Sequence, residues 1–456
     1  MELDMTKGSP TKLIARFIIP IIIGNIFQQF YNMADTIIVG RYVGLHALGA
    51  VGSTGTISFL ILGFAQGLTT GFTVQTAQYF GAGDEQGIKR SVYSAGLLSA
   101  IVTIVMTNAS VAFMDTLLTW MNTPLDMYDM ARDYIIVICG GMVFSIIYNL
   151  MASILRAIGN SVVPVVLLII AAFLNIILDI VFIAGFQWGV AGAAYATLAS
   201  QAVSGILCIL YIWKKVPILH FGKEHAKLHA QCVRNQLSVG IPMALQYSIT
   251  AVGTIMVQSA LNLLGSTVVG AYSVACKVEN LVTQPYPAMG ATMATYGAQN
   301  RGVNDLDRIS KGAKVASIMT ILYSVVIYGV LLFILPYAIR LFVTEDIDVV
   351  YGYAKTYLSI SGLFFIPLGM IFLFRNLLQG CGYGFLPMMG GVVELVSRAI
   401  GAFIATSMLS FVGVCFANIS AWASAGLFFW VLYLILMKRM RKEKAQHEAQ
   451  LLKVAQ

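Results

Sequence analysis

The sequence predicts an all-α polytopic membrane protein, with twelve transmembrane helices arranged as two six-helix bundles in a pseudo-two-fold repeat. Three observations predict it. Of 456 residues, 58% are hydrophobic and only 11% are charged, against about 25% charged in ordinary soluble domains; the mean hydropathy is +0.82. The apolar residues fall in blocks of about 20 or more, the length a helix needs to cross a bilayer core. Finally, the blocks form two similar sets.

Taken in chain order, the first block, 14–39, follows Lys7, Lys12 and Arg16. Those basic flanks suit a signal peptide, but the block runs on through Asn25, Gln28 and Gln29 with no small-residue cleavage pattern. It therefore reads as an uncleaved first helix. Blocks 47–78, 91–114, 132–156, 162–185 and 190–213 complete the first bundle. Blocks 237–263, 268–295, 312–336, 354–379, 385–410 and 413–437 make the second. Pro20, Pro164, Pro242, Pro285, Pro287, Pro367 and Pro387 lie within them; membrane helices tolerate proline and bend at it. The expected division is an amino-terminal bundle over 1–213, a basic cytoplasmic linker over 214–236, a carboxy-terminal bundle over 237–437, and a basic tail over 438–456.

Lysine and arginine set the orientation. With the amino terminus inside, the inner segments hold Lys89 and Arg90, Arg156 at a helix end, Lys214, Lys215, Lys223, Lys227 and Arg234, then Arg301, Arg308, Lys311 and Lys314, and the tail from Lys438. The outer segments hold Arg41, Arg132, Arg340 and Lys355 beside the acids Asp115, Asp126, Asp129, Asp133, Glu345, Asp346 and Asp348. Both termini are expected in the cytoplasm, and the protein in the inner (cytoplasmic) membrane. The net charge of +8 is thus a matter of topology, and no nucleic-acid-binding motif accompanies it. Six cysteines stand singly, without metal-ligand spacing. The chain has no Walker A motif, no HExxH and no large extramembrane segment. No enzyme activity and no cofactor are expected; a monomer is.

The halves share landmarks. Ile19-Pro20 corresponds to Ile241-Pro242, Leu48-Gly49-Ala50 to Val269-Gly270-Ala271, Gly81-Ala82 to Gly297-Ala298, and Gly159 with Pro164 to Gly382 with Pro387. Parallel repeats about an axis along the membrane normal are a mark of secondary transporters, with the site near the repeat interface.

An ionised side chain at the centre of a membrane helix costs about 2.5–3.5 kcal/mol on insertion scales, so those retained point to function. Asp35 stands in the first block, with Tyr31 one turn and Gln28 two turns before it on the same face. Asp179 stands in the fifth, one turn after Asn175. No base in this half is placed deep enough to pair with either acid. A proton or a metal cation would neutralise them; a permanently protonated pair joining helices is the structural alternative. In the second half Glu279 has Lys277 nearby, Glu394 has Arg398 at i,i+4, and Arg375 and Asn376 share the tenth block. These read either as ion pairs that satisfy one another or, with Gln28, as walls of a substrate cavity.

The motifs resemble those of the multidrug and toxic compound extrusion (MATE) family, and in particular its prokaryotic DinF-like branch. They are Tyr31-Asn32-Met33-Ala34-Asp35-Thr36 with Gly40 and Gly44, Gly81-Ala82-Gly83, Leu155-Arg156-Ala157-Ile158-Gly159-Asn160 with Pro164, Leu174-Asn175-Ile176-Ile177-Leu178-Asp179, Gly192-Ala193-Ala194-Tyr195-Ala196-Thr197, and Gln379-Gly380-Cys381-Gly382 with Pro387. The resemblance covers about residues 10–440. It implies export of cationic and amphiphilic organic compounds in exchange for H⁺ or Na⁺. It also implies a coupling-cation site at Asp35, Asn175, Asp179 and Thr197, with Tyr31 beside it; Na⁺ would take oxygens from the first four. Another branch uses acids in the seventh and tenth helices, which this sequence lacks. The expected partners are small organic substrates, the coupling cation and the lipid bilayer. The alternatives are a flippase for a lipid-linked or polyisoprenoid substrate, and a non-transporting membrane scaffold or sensor.

Overall fold

The computed structural model describes residues 3–121, 123–220, 227–342 and 347–455. Lys223, expected in the basic linker, and Glu345 and Asp346, expected in an outer loop, lie outside the described residues. Those described form helices and no strands.

In chain order the helices are α1 (Pro10–Tyr42), α2 (Leu45–Ala82), α3 (Glu85–Ala112), α4 (Met114–Trp120), α5 (Leu125–Gly140), α6 (Met142–Ala157), α7 (Val162–Asp179) and α8 (Gly189–Lys215). Then come α9 (Ala230–Asn262), α10 (Ser266–Thr283), α11 (Pro285–Gly302), α12 (Leu306–Phe342), α13 (Ile347–Gly362), α14 (Phe365–Gly380), α15 (Phe385–Met408) and α16 (Phe411–Ala455). All twelve expected spans are helical. They outnumber twelve as elements because α4 is an extra short helix and three spans are broken. The α5–α6 span bends by 47° at Gly140-Gly141, and α13–α14 bends by 52° after Gly362. The α10–α11 span breaks before Pro285, which has no N–H to continue the ladder. Large apolar side chains such as Phe333 and Phe403 stand outward, about three-quarters exposed (77% and 75%), as a lipid-facing surface requires.

The repeat is also written in the backbone. Left-handed φ recurs at Gly44 (113°) and Gly265 (94°), at Gly83 (71°) and Asn304 (55°), and at Gly159 (84°) and Gly382 (95°). Each pair lies about 222 positions apart. These are helix-ending turns where an L side chain is strained and glycine or asparagine is favoured.

The chain forms two compact units, one centred on Ile19–Ser248 and the other formed by Met5–Ile18 with the chain from Ile249 onward. The division therefore falls inside α1 and inside α9. In the first unit, α2 carries Gly63, Gly67 and Gly71 in one line, four residues apart, and the early turns of α9 press against it. A Cβ on Gly67 would stand 2.7 Å from the Cα of Ala244, and one on Gly71 2.7 Å from the backbone nitrogen of Gly240. Small residues at this spacing let membrane helices approach backbone to backbone. Phe72, Ile88, Leu155 and Ile158 fill the core beside that crossing. In the second unit, Met5 anchors the amino-terminal segment: its N–H donates to Gln299 Oε1 at 2.8 Å, and its carbonyl accepts from Arg308 Nε at 3.0 Å. Tyr286 and Tyr296 are fully buried there, their hydroxyls meeting Ser324 Oγ and the Arg308 carbonyl, both at 2.8 Å.

Candidate functional site

Helical periodicity on α1 places Gln28, Tyr31 and Asp35 along one face. On α7, Asn175 and Asp179 stand one turn apart, both fully buried. Thr197 faces them from α8. Within the first unit these side chains meet: the Tyr31 hydroxyl lies 3.5 Å from Thr197 Oγ1, and Asn175 Nδ2 donates to the same oxygen at 3.5 Å. The carboxyl groups of Asp35 and Asp179 face each other. The five residues expected at a cation site thus gather in one place, supplied by three helices.

Two further features surround them. Tyr134 of α5 lies within electrostatic reach of Asp35, Tyr31 and Asp179. The helix also changes at Asp179: residues Ile180–Gly185 continue as a π-helix, closed by the Phe186 N–H on the Val181 carbonyl at 2.9 Å. Such insertions are rare and often sit at functional sites.

A cavity of about 230 Å³ opens beside this cluster, in the same unit. Gln28 lines it, as the sequence suggested, together with Asn25, Gln66, Asn149, Gln201 and Arg156. A smaller cavity of about 70 Å³ shares Gln28, Tyr148, Asn149 and Gln201 with it and reaches Tyr31.

The charged residues of the second unit meet other partners. Glu279 is buried on α10 and accepts a 2.7 Å hydrogen bond from Tyr357 on α13. Lys277 stands two positions away on the same helix, a spacing at which side chains do not face each other. The partner the sequence suggested for Glu279 is thus replaced by a tyrosine from another helix. Glu394 and Arg398 do pair, at 3.4 Å and almost fully buried. The Arg375 guanidinium lies 4.8 Å from the centre of the Phe372 ring, and Asn376 Nδ2 returns to the Phe372 carbonyl at 2.8 Å.

The pattern of the family described as MatE matches residues 20–181 and again 239–404. The probable multidrug resistance protein YpnP of Bacillus subtilis is 28% identical over 385 residues, spanning 83% of this chain and 84% of that one. The probable multidrug resistance protein NorM of Thermotoga maritima is 26% identical over 384 residues, spanning 83% and 81%. A solved outward-facing structure of a multidrug resistance MATE family transporter of the MOP superfamily superposes with a TM-score of 0.90 at 22% identity, over 96% of this chain and 98% of that one. At that identity the likeness is one of fold.

Proposed function

Because this chain belongs to the MatE family of transporters, we propose that it exports amphiphilic and cationic organic compounds across the cell membrane in exchange for an inward-moving cation. The observation that carries this reading is the facing pair of acids Asp35 and Asp179, gathered with Asn175, Thr197 and Tyr31. A cation entering from outside neutralises the pair. Drug and cation bind with mutual penalty, so the arrival of one favours release of the other, and that coupling is reciprocal. The cycle is alternating access, with broken and proline-bearing helices absorbing the motion. One positive charge moving inward down the membrane potential contributes about 2.3 kcal/mol per 100 mV. Both termini lie in the cytoplasm in this reading, following the lysine and arginine bias.

The cation is H⁺ or Na⁺: a proton would sit on one of the two acids, and sodium would draw on the oxygens of Asn175 and Thr197 as well. The experiment is drug transport in proteoliposomes under an imposed cation gradient. Asp35→Asn and Asp179→Asn are expected to abolish gradient-driven export while the protein stays folded. Export at the wild-type rate by either variant would sink the assignment.

A further inference from the structure

The larger cavity of the first unit has the wrong polarity for a cation. Among the described residues its one charged side chain is Arg156, and no acid lines it. Arg156 spends one N–H on Ser153 Oγ, at 2.9 Å. The ionisable groups facing it are Tyr148, Cys208 and Tyr247, and none is a carboxylate. A guanidinium has five N–H donors in a planar fork that matches a carboxylate. Arg156 stands in the last turn of α6, and among the described residues no carboxylate is paired with it. The rest of the wall supplies amides, Asn25, Gln28, Asn149 and Gln201 among them, whose NH₂ groups are further donors for an anion. At about 230 Å³ the space is below that of a drug-sized pocket, which starts at about 300 Å³, so it takes one group of a larger molecule.

We propose that this cavity is a subsite for the carboxylate of an organic amphiphile, and that Arg156 is the residue that binds it. The inference rests on the export reading and narrows its substrates: among organic cations, those that also carry a carboxylate are favoured. The smaller cavity shares Gln28, Asn149 and Gln201 with it and reaches Tyr31, which lies within electrostatic reach of both aspartates. The positive end of a zwitterion held at Arg156 is expected to point that way.

The test uses two dyes that differ only at one group, tetramethylrhodamine with a free carboxylate and its methyl ester. Fluorescence anisotropy reads their binding to the purified full chain in phosphatidylcholine nanodiscs. Wild type is expected to bind the acid about tenfold or more tightly than the ester, the factor that one charge-assisted hydrogen bond supplies. Arg156→Gln is expected to bind both alike, and Arg156→Lys to keep part of the preference. No preference in wild type overturns the proposal, and that comparison decides alone should Arg156→Gln not purify. A preference that survives in Arg156→Gln also overturns it. Adding phosphatidylglycerol separates the two sources of an anion: displacement of the acid by that lipid makes a headgroup the occupant and overturns the substrate assignment. Dye flux in proteoliposomes tests the broader reading separately, since a binding preference without gradient-driven flux of either dye leaves the subsite standing and removes export.

Discussion

Tyr357 donates its hydroxyl proton to Glu279 across 2.7 Å, joining α13 to α10 deep inside the second unit. Tyr357→Phe removes the donor and leaves a buried carboxyl short of a partner, at a cost of about 1–3 kcal/mol. Thermal unfolding in detergent should show the loss. Tyr357→Phe with Glu279→Met, which removes both polar groups, should recover part of it.

Arg398 and Glu394 form a buried pair one turn apart. Removing one partner strands the other charge, so Arg398→Met should destabilise by about 3–5 kcal/mol. The double variant Glu394→Leu, Arg398→Met should come back close to wild type, because replacing a whole buried pair by apolar groups is often neutral or better. Thermal melts of the three variants decide it; an intact melting point for Arg398→Met alone would count against the pair.

The crossing of α2 and the early part of α9 leaves no room at Gly67, whose Cβ would fall 2.7 Å from the Ala244 backbone. Gly67→Ala should cost about 1–3 kcal/mol through overpacking. Gly52→Ala, at a position with open space around the added methyl, should cost nothing measurable. Expression level and melting temperature of the two variants make the comparison.

Thr197 separates the two candidate ions. Under proton coupling its hydroxyl is a neighbour rather than a ligand, and Thr197→Val should change the rate of drug export under a pH gradient by no more than about fivefold, in keeping with a single weak hydrogen bond. Sodium-stimulated flux that ignores pH, with a raised half-saturating sodium concentration in Thr197→Val, would identify sodium as the coupling ion.

Outside the spans, the Asp115 carboxyl is held below its ordinary range by hydrogen bonding to Arg132, 2.6 Å away. A depressed carboxyl contributes stability above its unfolded value, near 3.8, and loses it as pH falls through the lower folded value. The melting difference between wild type and Arg132→Gln should therefore vanish at the acid end. It should be small at neutral pH and smaller in high salt, because the pair is exposed.

Hydropathy made the twelve spans legible, because lipid demands long apolar helices whatever else they do. The same logic exposed Asp35 and Asp179 as isolated charges, and a turn's spacing placed Tyr31 and Asn175 with them. What the sequence could not carry were partners from distant helices. Glu279 meets Tyr357, 78 positions away, where local charge had suggested Lys277. The π-helix after Asp179 left no trace in residue types. Arg156 was visible as part of a motif, but its place in a cavity wall depends on how α1, α2, α6, α7 and α8 close around it. The line Gly63, Gly67, Gly71 is a signal of close helix crossing carried by the residues themselves.

The two-fold repeat turns each half into a control for the other. Counting 222 or 223 positions onward, Tyr31 falls at Gly253 and Asn175 at Arg398. Those two residues touch, since a Cβ on Gly253 would lie 3.1 Å from Arg398 Nη1. Arg398 is itself paired with the buried Glu394, so this half carries its positive charge in the polypeptide. Under the exchange proposed above, only the first half would offer a place that a mobile cation can fill and leave, and the two halves of one repeat would do unequal work.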